Sequence, residues 1–368
     1  MNRPIPNIVR RCPGGGLVIL VSAVWIFAAL VAACGTTSGV RSTSGSASTS
    51  TPAARLYPKS SIPASAPTTT GRATNTGPGT GGLVTFAVEQ SVMATTWSAF
   101  STAFDEDNLT LLASVSTPSV DQVVSGYFLC GCGPWPDVTK AVGFSAPPQF
   151  AYPLFFLAEV QSQDYNQTPL NKEVVFTQSA AGRPWLVAYI GSYSGAGALF
   201  SVGTGTTDLT ESPLSLSYDL SLAPAAFTKW GQQLDQTGTA PPLPAPFEST
   251  GISDAAIQDA ETAHLYDQAN GLTATFTHTL VSTSPVFPTP SGNLICATIH
   301  VRETVTSVSG DHIVQPTARN AWTAILPPGA YHTLSQQSEL NECFLEWPTG
   351  QAYQQTDMGG FYEATGTA

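Results

Sequence analysis

The sequence predicts an α+β fold: two tandem domains, each a helix laid on a curved antiparallel sheet, following a signal peptide and a disordered tether. Three observations carry this expectation. Apolar residues recur at spacings of three and four over residues 83–104 and again over 254–270, the period of a helix with one buried face. Each stretch is followed by segments rich in aromatic and β-branched residues, several alternating with polar ones as half-buried strands do. Helices first and strands after is the order of an α+β domain, and 368 residues exceed what one ordinary domain needs.

The first 34 residues say where the rest belongs. Arg3, Arg10 and Arg11 open the chain, Leu17 to Ala33 is uncharged and apolar, and Ala32-Ala33 precede Cys34. Positive start, apolar core and small residues are the order of a secretory signal. A cysteine directly after the small pair makes Leu30-Val31-Ala32-Ala33-Cys34 a lipobox, with residues 1–33 removed and Cys34 lipidated. The competing reading is an uncleaved membrane anchor, since the apolar run approaches the roughly 20 residues that span a bilayer. Against it, no interfacial Trp, Tyr or Lys follows directly after Cys34. Either reading places the body outside the cytoplasm, facing outward, with the membrane as partner through the lipid on Cys34. Residues 34–82 are mostly Ser, Thr, Gly, Pro and Ala. They bury too little to offset the entropy of ordering, so a flexible tether is expected.

The first domain is expected over 83–225. Leu83, Phe86, Met93, Trp97, Phe100 and Phe104 form its helical stripe, with Gln90 the one polar member. Asp105-Glu106-Asp107-Asn108 ends that helix and offers an N-cap for Leu109 to Leu112, and a short helix fits 119–128. Strands are expected over 150–160, 172–179 and 184–192, the last two joined by a turn at Ala180-Ala181-Gly182-Arg183. Residues 218–230 suggest a strand and a short helix, and 226–250 read as a Pro-rich connector. The second domain is expected over 251–368. Ser253 caps a helix over 254–270, Gly271 stops it, and strands follow over 272–280, 295–301, 318–326 and 340–347. In the first of these, Leu272, Ala274, Phe276, His278 and Leu280 alternate with threonines.

The lipobox with its Ser/Thr/Pro tail, the helix Phe86 to Phe104, and the stretch Val174-Val175-Phe176 to Gly182-Arg183-Pro184-Trp185-Leu186-Val187 resemble a recurrent class of lipoproteins of high-GC Gram-positive bacteria. The resemblance covers most of residues 83–368 in layout. It implies cystatin-like/NTF2-like curved-sheet domains and brings no catalytic residues with it.

Six cysteines remain to be assigned. Cys12 leaves with the signal and Cys34 takes the lipid. Cys130, Cys132, Cys296 and Cys343 are then an even number outside the cytoplasm, with three pairings open. A Cys296–Cys343 bridge is favoured because both fall in strand candidates; closing a loop of about 47 residues is worth about 4 kcal/mol in the chain-entropy account. Cys130-Gly131-Cys132 is then a tight local bridge or inert loop, against a soft-metal or exchange site for which no Met or His stands nearby. A crossed pairing would clamp the two domains together.

All five histidines, His264, His278, His300, His312 and His332, follow residue 263, yet none forms an H-x-H or H-x-x-x-H grip. No metal and no cofactor is therefore expected. His278 reads as a hydrogen-bonded interior residue and His300, beside Arg302, as a solvent-facing one. Either with Asp254, Asp259 or Glu303 would make an acid–base pair. Trp97, Phe100, Tyr152, Phe155, Phe156 and Trp185 line a concave pocket or form the core, and the core is the simpler reading. There is no G-x-S-x-G, P-loop or H-E-x-x-H, and Gly195-Ala-Gly-Ala and Gly203-Thr-Gly lack a following helix. Asp105-Glu106-Asp107 is explained by a capped turn without Ca²⁺. The mature chain carries ten basic against twenty-five acidic residues, net −15, which opposes nucleic acid and anionic lipid as partners. The expected function is a cell-envelope lipoprotein with a non-catalytic binding or scaffolding role toward a small ligand or an envelope protein. The alternatives are an envelope enzyme using a His/carboxylate pair of the second domain, or metal or redox handling through Cys130 and Cys132.

Overall fold

Thr85 starts the first helix, its hydroxyl oxygen accepting the Val88 N–H at 3.4 Å. The computed structural model describes residues 82–130, 138–163, 169–191, 199–200, 207–310, 313–314, 326 and 330–367. The expectations for Cys34 and the tether, for the side chains of Cys130 and Cys132, for the two Gly-rich segments and for a strand over 318–325 fall outside what is described. Helix α1 (Phe86–Val92) passes through one π-helical turn (Met93–Trp97) into α2 (Ser98–Asp105). The π turn inserts a residue into the repeat. Inward positions are therefore Glu89 and Val92 before it, and Trp97, Phe100 and Phe104 after it. Gln90, expected on the buried stripe, is exposed for that reason, and Glu89 is buried instead. Asn108 caps α3 (Leu109–Val115), accepting the Leu111 N–H at 3.0 Å, and α4 (Pro118–Cys130) begins on a proline whose missing N–H costs nothing there.

Strands β1 (Val138–Ser145), β2 (Leu154–Gln163), β3 (Pro169–Gln178), β4 (Leu186–Ile190) and β5 (Thr207–Leu209) form the first sheet, in order β4-β3-β2-β1-β5. Every pairing is antiparallel except β1 with β5. Side chains alternate across it as a pleat requires. Phe144, Phe156, Val174 and Phe176 meet α1 to α4, with Phe156 and Phe176 stacked at 4.7 Å.

A 3₁₀ turn (Leu220–Leu222) leads into α5 (Ala223–Thr237), which stops at Gly238 in the left-handed conformation. Residues 226–237 are thus helical rather than connector; the prolines that suggested a connector begin at Pro241, past the helix end. Thr250, not Ser253, caps α6 (Gly251–Ala269). Ser253 is the reciprocal partner, each hydroxyl accepting the other's backbone N–H. The second sheet follows: β6 (Leu272–Thr283), β7 (Phe287–Thr289), β8 (Gly292–Ser307), β11 (Thr333–Glu346) and β12 (Ala352–Thr367), ordered β12-β11-β8-β6 with β7 on β8 and all antiparallel. A small pair, β9 (Ile313–Val314) and β10 (Ala330–Tyr331), stands apart.

The fold is α+β with two sheets. Leu157, Val175, Tyr189 and Phe200 of the first half share an apolar cluster with Phe287, Leu294, Cys296, Cys343 and Leu345 of the second. On the far face of the second sheet, Ile295, Ala297 and Phe344 pack under Phe227, Trp230 and Leu234 of α5. Cys296 and Cys343 sit directly opposite on β8 and β11 and are joined, the bridge the cysteine arithmetic favours.

Candidate functional site

β6 is an outer strand of the second sheet, and an outer strand presents unpaired N–H and C=O groups. α5 meets them with side chains. Gln232 Oε1 accepts the His278 N–H at 3.2 Å and Gln236 Oε1 the Phe276 N–H at 3.1 Å, while Gln236 Nε2 donates to the Ala274 carbonyl at 3.4 Å. The match is geometric: four helical residues rise about 6 Å and two strand residues about 6.6 Å, so one helical turn keeps step with every second strand position.

Between the two glutamines α5 carries Asp235, whose Oδ2 lies 2.9 Å from His278 Nε2. With an ionised carboxylate as acceptor, Nε2 carries the proton. The imidazole is only 5% exposed. Gly231 leaves room for it: a methyl group there would stand 3.3 Å from the ring's Cε1 and Nδ1. Beside the pair opens a cleft of about 450 Å³, lined by Ala225, Thr228, Lys229, Gln232, Gln233, Gln236 and Thr237 of α5 and by His278 and Leu280 of β6. The Thr228 hydroxyl is turned away, donating to the Pro224 carbonyl at 2.7 Å. Among the described residues, the Lys229 ammonium and the Gln232 amide nitrogen have no hydrogen-bond partner in the protein.

No family model, curated protein or solved structure matches this chain.

A second pair lies across the middle of the same sheet. His300 and Glu339 face each other on β8 and β11, Nδ1 to Oε1 3.2 Å, one rung beyond Thr298–Asn341 and two beyond the disulfide. Burial pushes the Glu339 carboxyl above the usual range, and the imidazole opposes that shift. His300 occupies the face expected for it but is partnered rather than free in solvent. The carboxylates suggested from sequence serve elsewhere: Asp254 accepts from Ser249 and Glu303 from Gln336. The histidines' own ion-pair contacts are to Asp235 and Glu339 instead. Among the described residues no group of three or more His, Cys, Asp or Glu could hold a metal ion, and no helix is long and apolar enough to cross a membrane.

Two acidic groups escape sequence reasoning altogether. Glu89 is fully buried, and its oxygens meet no N–H or O–H donor among the described residues. It faces Asp208 of β5. Burial, then the neighbouring carboxylate, raises Glu89 to about 8. Glu159 accepts the N–H groups of Leu199 and Phe200 at 3.0 and 2.7 Å, and burial outweighs those bonds to raise it to about 7. Of the six aromatics proposed as pocket or core, Trp97, Phe100 and Phe156 are core, and Phe155 and Trp185 pack against it. Tyr152 is at the surface.

Proposed function

We propose that the chain is an extracytoplasmic lipoprotein, held at the membrane by the lipid on Cys34, which binds a small oxygen-rich ligand in the cleft between α5 and β6 without transforming it. The way His278 is held favours binding over catalysis. Its Nε2 is engaged by Asp235, its Nδ1 edge lies against α5 at Gly231, and the nearby Thr228 hydroxyl is committed to a backbone carbonyl. General-base or nucleophilic chemistry needs a nitrogen or hydroxyl free to move a proton toward a substrate. Donor-bearing Lys229 and Gln232 stand among the cleft's lining residues, whose exposed surface is otherwise mainly apolar, with Ala225 and Leu280. Donors of this kind suit the acceptor oxygens of a carboxylate, a phosphate or a sugar.

The test is titration of the full lipidated protein with glucuronate and with inorganic phosphate, followed by NMR. Shifts at Gln232 and His278 that disappear in Lys229→Ala are the expected result; no shift with either probe rejects the cleft as such a site. One observation favours a hydrolytic reading, the 2.9 Å His278–Asp235 contact on the cleft wall. Turnover of p-nitrophenyl esters or phosphates that is abolished by His278→Ala would establish it.

A further inference from the structure

We propose that the end of the first sheet where the chain enters the folded body is a membrane-contacting face, covered by the lipid interface of the bilayer that carries Cys34. The inference rests on the reading of Cys34 as the lipidated residue. Leu83 N–H donates to the Gln149 carbonyl at 2.8 Å, which joins the entering chain to the loop between β1 and β2. The Gln149 side chain closes that loop, accepting the Phe155 N–H at 2.7 Å and donating to the Phe155 carbonyl at 2.6 Å. Held in this way, the loop projects Phe150, 74% exposed, and Tyr152, 38% exposed, beside Leu83 at 48%. Among the described residues the other exposed large apolar side chains, Leu214, Leu222, Leu265, Val281 and Val308, belong to other segments of the chain.

Charge marks the same end. Leu154 pairs with Gln178, whose Nε2 donates to the Arg183 carbonyl, so the β3–β4 turn borders the loop and adds the exposed Arg183. Residues 82–88, 146–158 and 174–191 contain no carboxylate, in a chain whose net charge is −12. The acids at the margin come from β5 and the chain after it: the exposed Asp208, and Glu211 two residues past Leu209, whose carbonyl accepts the Ala146 N–H. An acidic body is repelled by anionic headgroups, so the face that approaches them is the one without carboxylates. Phenyl and phenol rings settle at the headgroup boundary, and a guanidinium beside them reaches phosphate.

The occupant follows from where the tether ends. Residues 35–81 lead from the lipidated cysteine to Gly82, at the edge of this patch. On the coil expected from its Ser/Thr/Gly/Pro composition, a segment of that length has a mean reach of roughly 35–40 Å. A patch too small to hold a protein on a bilayer by itself is engaged at the effective concentration that such a tether sets.

The test uses full-length lipidated protein in vesicles of equal phosphatidylcholine and phosphatidylglycerol. A photoreactive p-benzoylphenylalanine replaces Leu83, Phe150 or Tyr152, with Leu265 and Val308 as control positions. Lipid adducts several-fold above the controls are expected at the three patch positions, and those at position 150 are expected to fall when Tyr152→Glu is added. Adducts equal at all five positions, or absent from all, overturn the proposal. So does capture of a second protein at position 150 in native membranes in place of lipid. The mass of the mature chain separately reports acylation of Cys34. Its absence overturns the anchor reading alone, while adducts in vesicles still decide the face.

Discussion

His278 shows what the sequence reveals of a residue and what it hides. Its place in an alternating strand gave an inward orientation, and the ring is buried on that side. Its partner was not legible. Asp235 lies 43 residues away on a helix whose alignment along β6 depends on tertiary packing. Glu339 is hidden for a like reason, because it meets His300 only through the β8–β11 register. Cys296 and Cys343 were legible, since counting cysteines and placing strands left few pairings. At this scale we expect His278→Ala and Asp235→Asn to be non-additive, with a coupling of about 1 kcal/mol in a double-mutant cycle. Additive losses measured by urea denaturation would mean that the pair contributes nothing beyond packing.

Among elements, the first helix carried the clearest periodicity and still misled by one residue. A stripe counted backward from Trp97 at helical spacing reaches Gln90; the π turn moves the inward position to Glu89, and no residue pattern announces such an insertion. β12 was missed for another reason. Its middle, Asp357-Met358-Gly359-Gly360, lacks the β-branched residues that signal strands. Packing demands a glycine at Gly360, because a Cβ there would stand 2.1 Å from the Val123 carbonyl oxygen of α4, which passes over the strand. Gly360→Ala is therefore expected to cost about 2 kcal/mol or more, since backbone rather than a side-chain tip must move. Faster amide exchange in α4 should accompany the loss; an unchanged denaturation midpoint would refute the close approach.

For the whole molecule, the buried acids give stability a direction in pH. Glu89, Glu159 and Asp121 are raised by burial to about 8, 7 and 6 in the folded chain, from ordinary values of 4.5, 4.5 and 3.8. The folded state thus holds protons that the unfolded state has released. Their contribution is complete below about pH 4 and is lost as pH rises through 6 to 8, with Glu89 the largest. Glu89 alone is worth on the order of a few kcal/mol across that window. The melting midpoint is expected to fall between about pH 5 and pH 8, and Glu89→Gln to flatten that fall. A midpoint that rises over the same interval contradicts this assignment of protons.

The glutamines that α5 lays along β6 have a consequence for neighbours. Proteins held on a membrane by lipid are confined to two dimensions, where each copy meets others far more often than in free solution. An open strand edge under such crowding is an invitation to stack copy upon copy. With Gln232 and Gln236 holding the Phe276 and His278 N–H groups and the Ala274 carbonyl, three groups of that edge are already engaged, and under the proposed lipid anchor crowded copies have fewer left there to pair through.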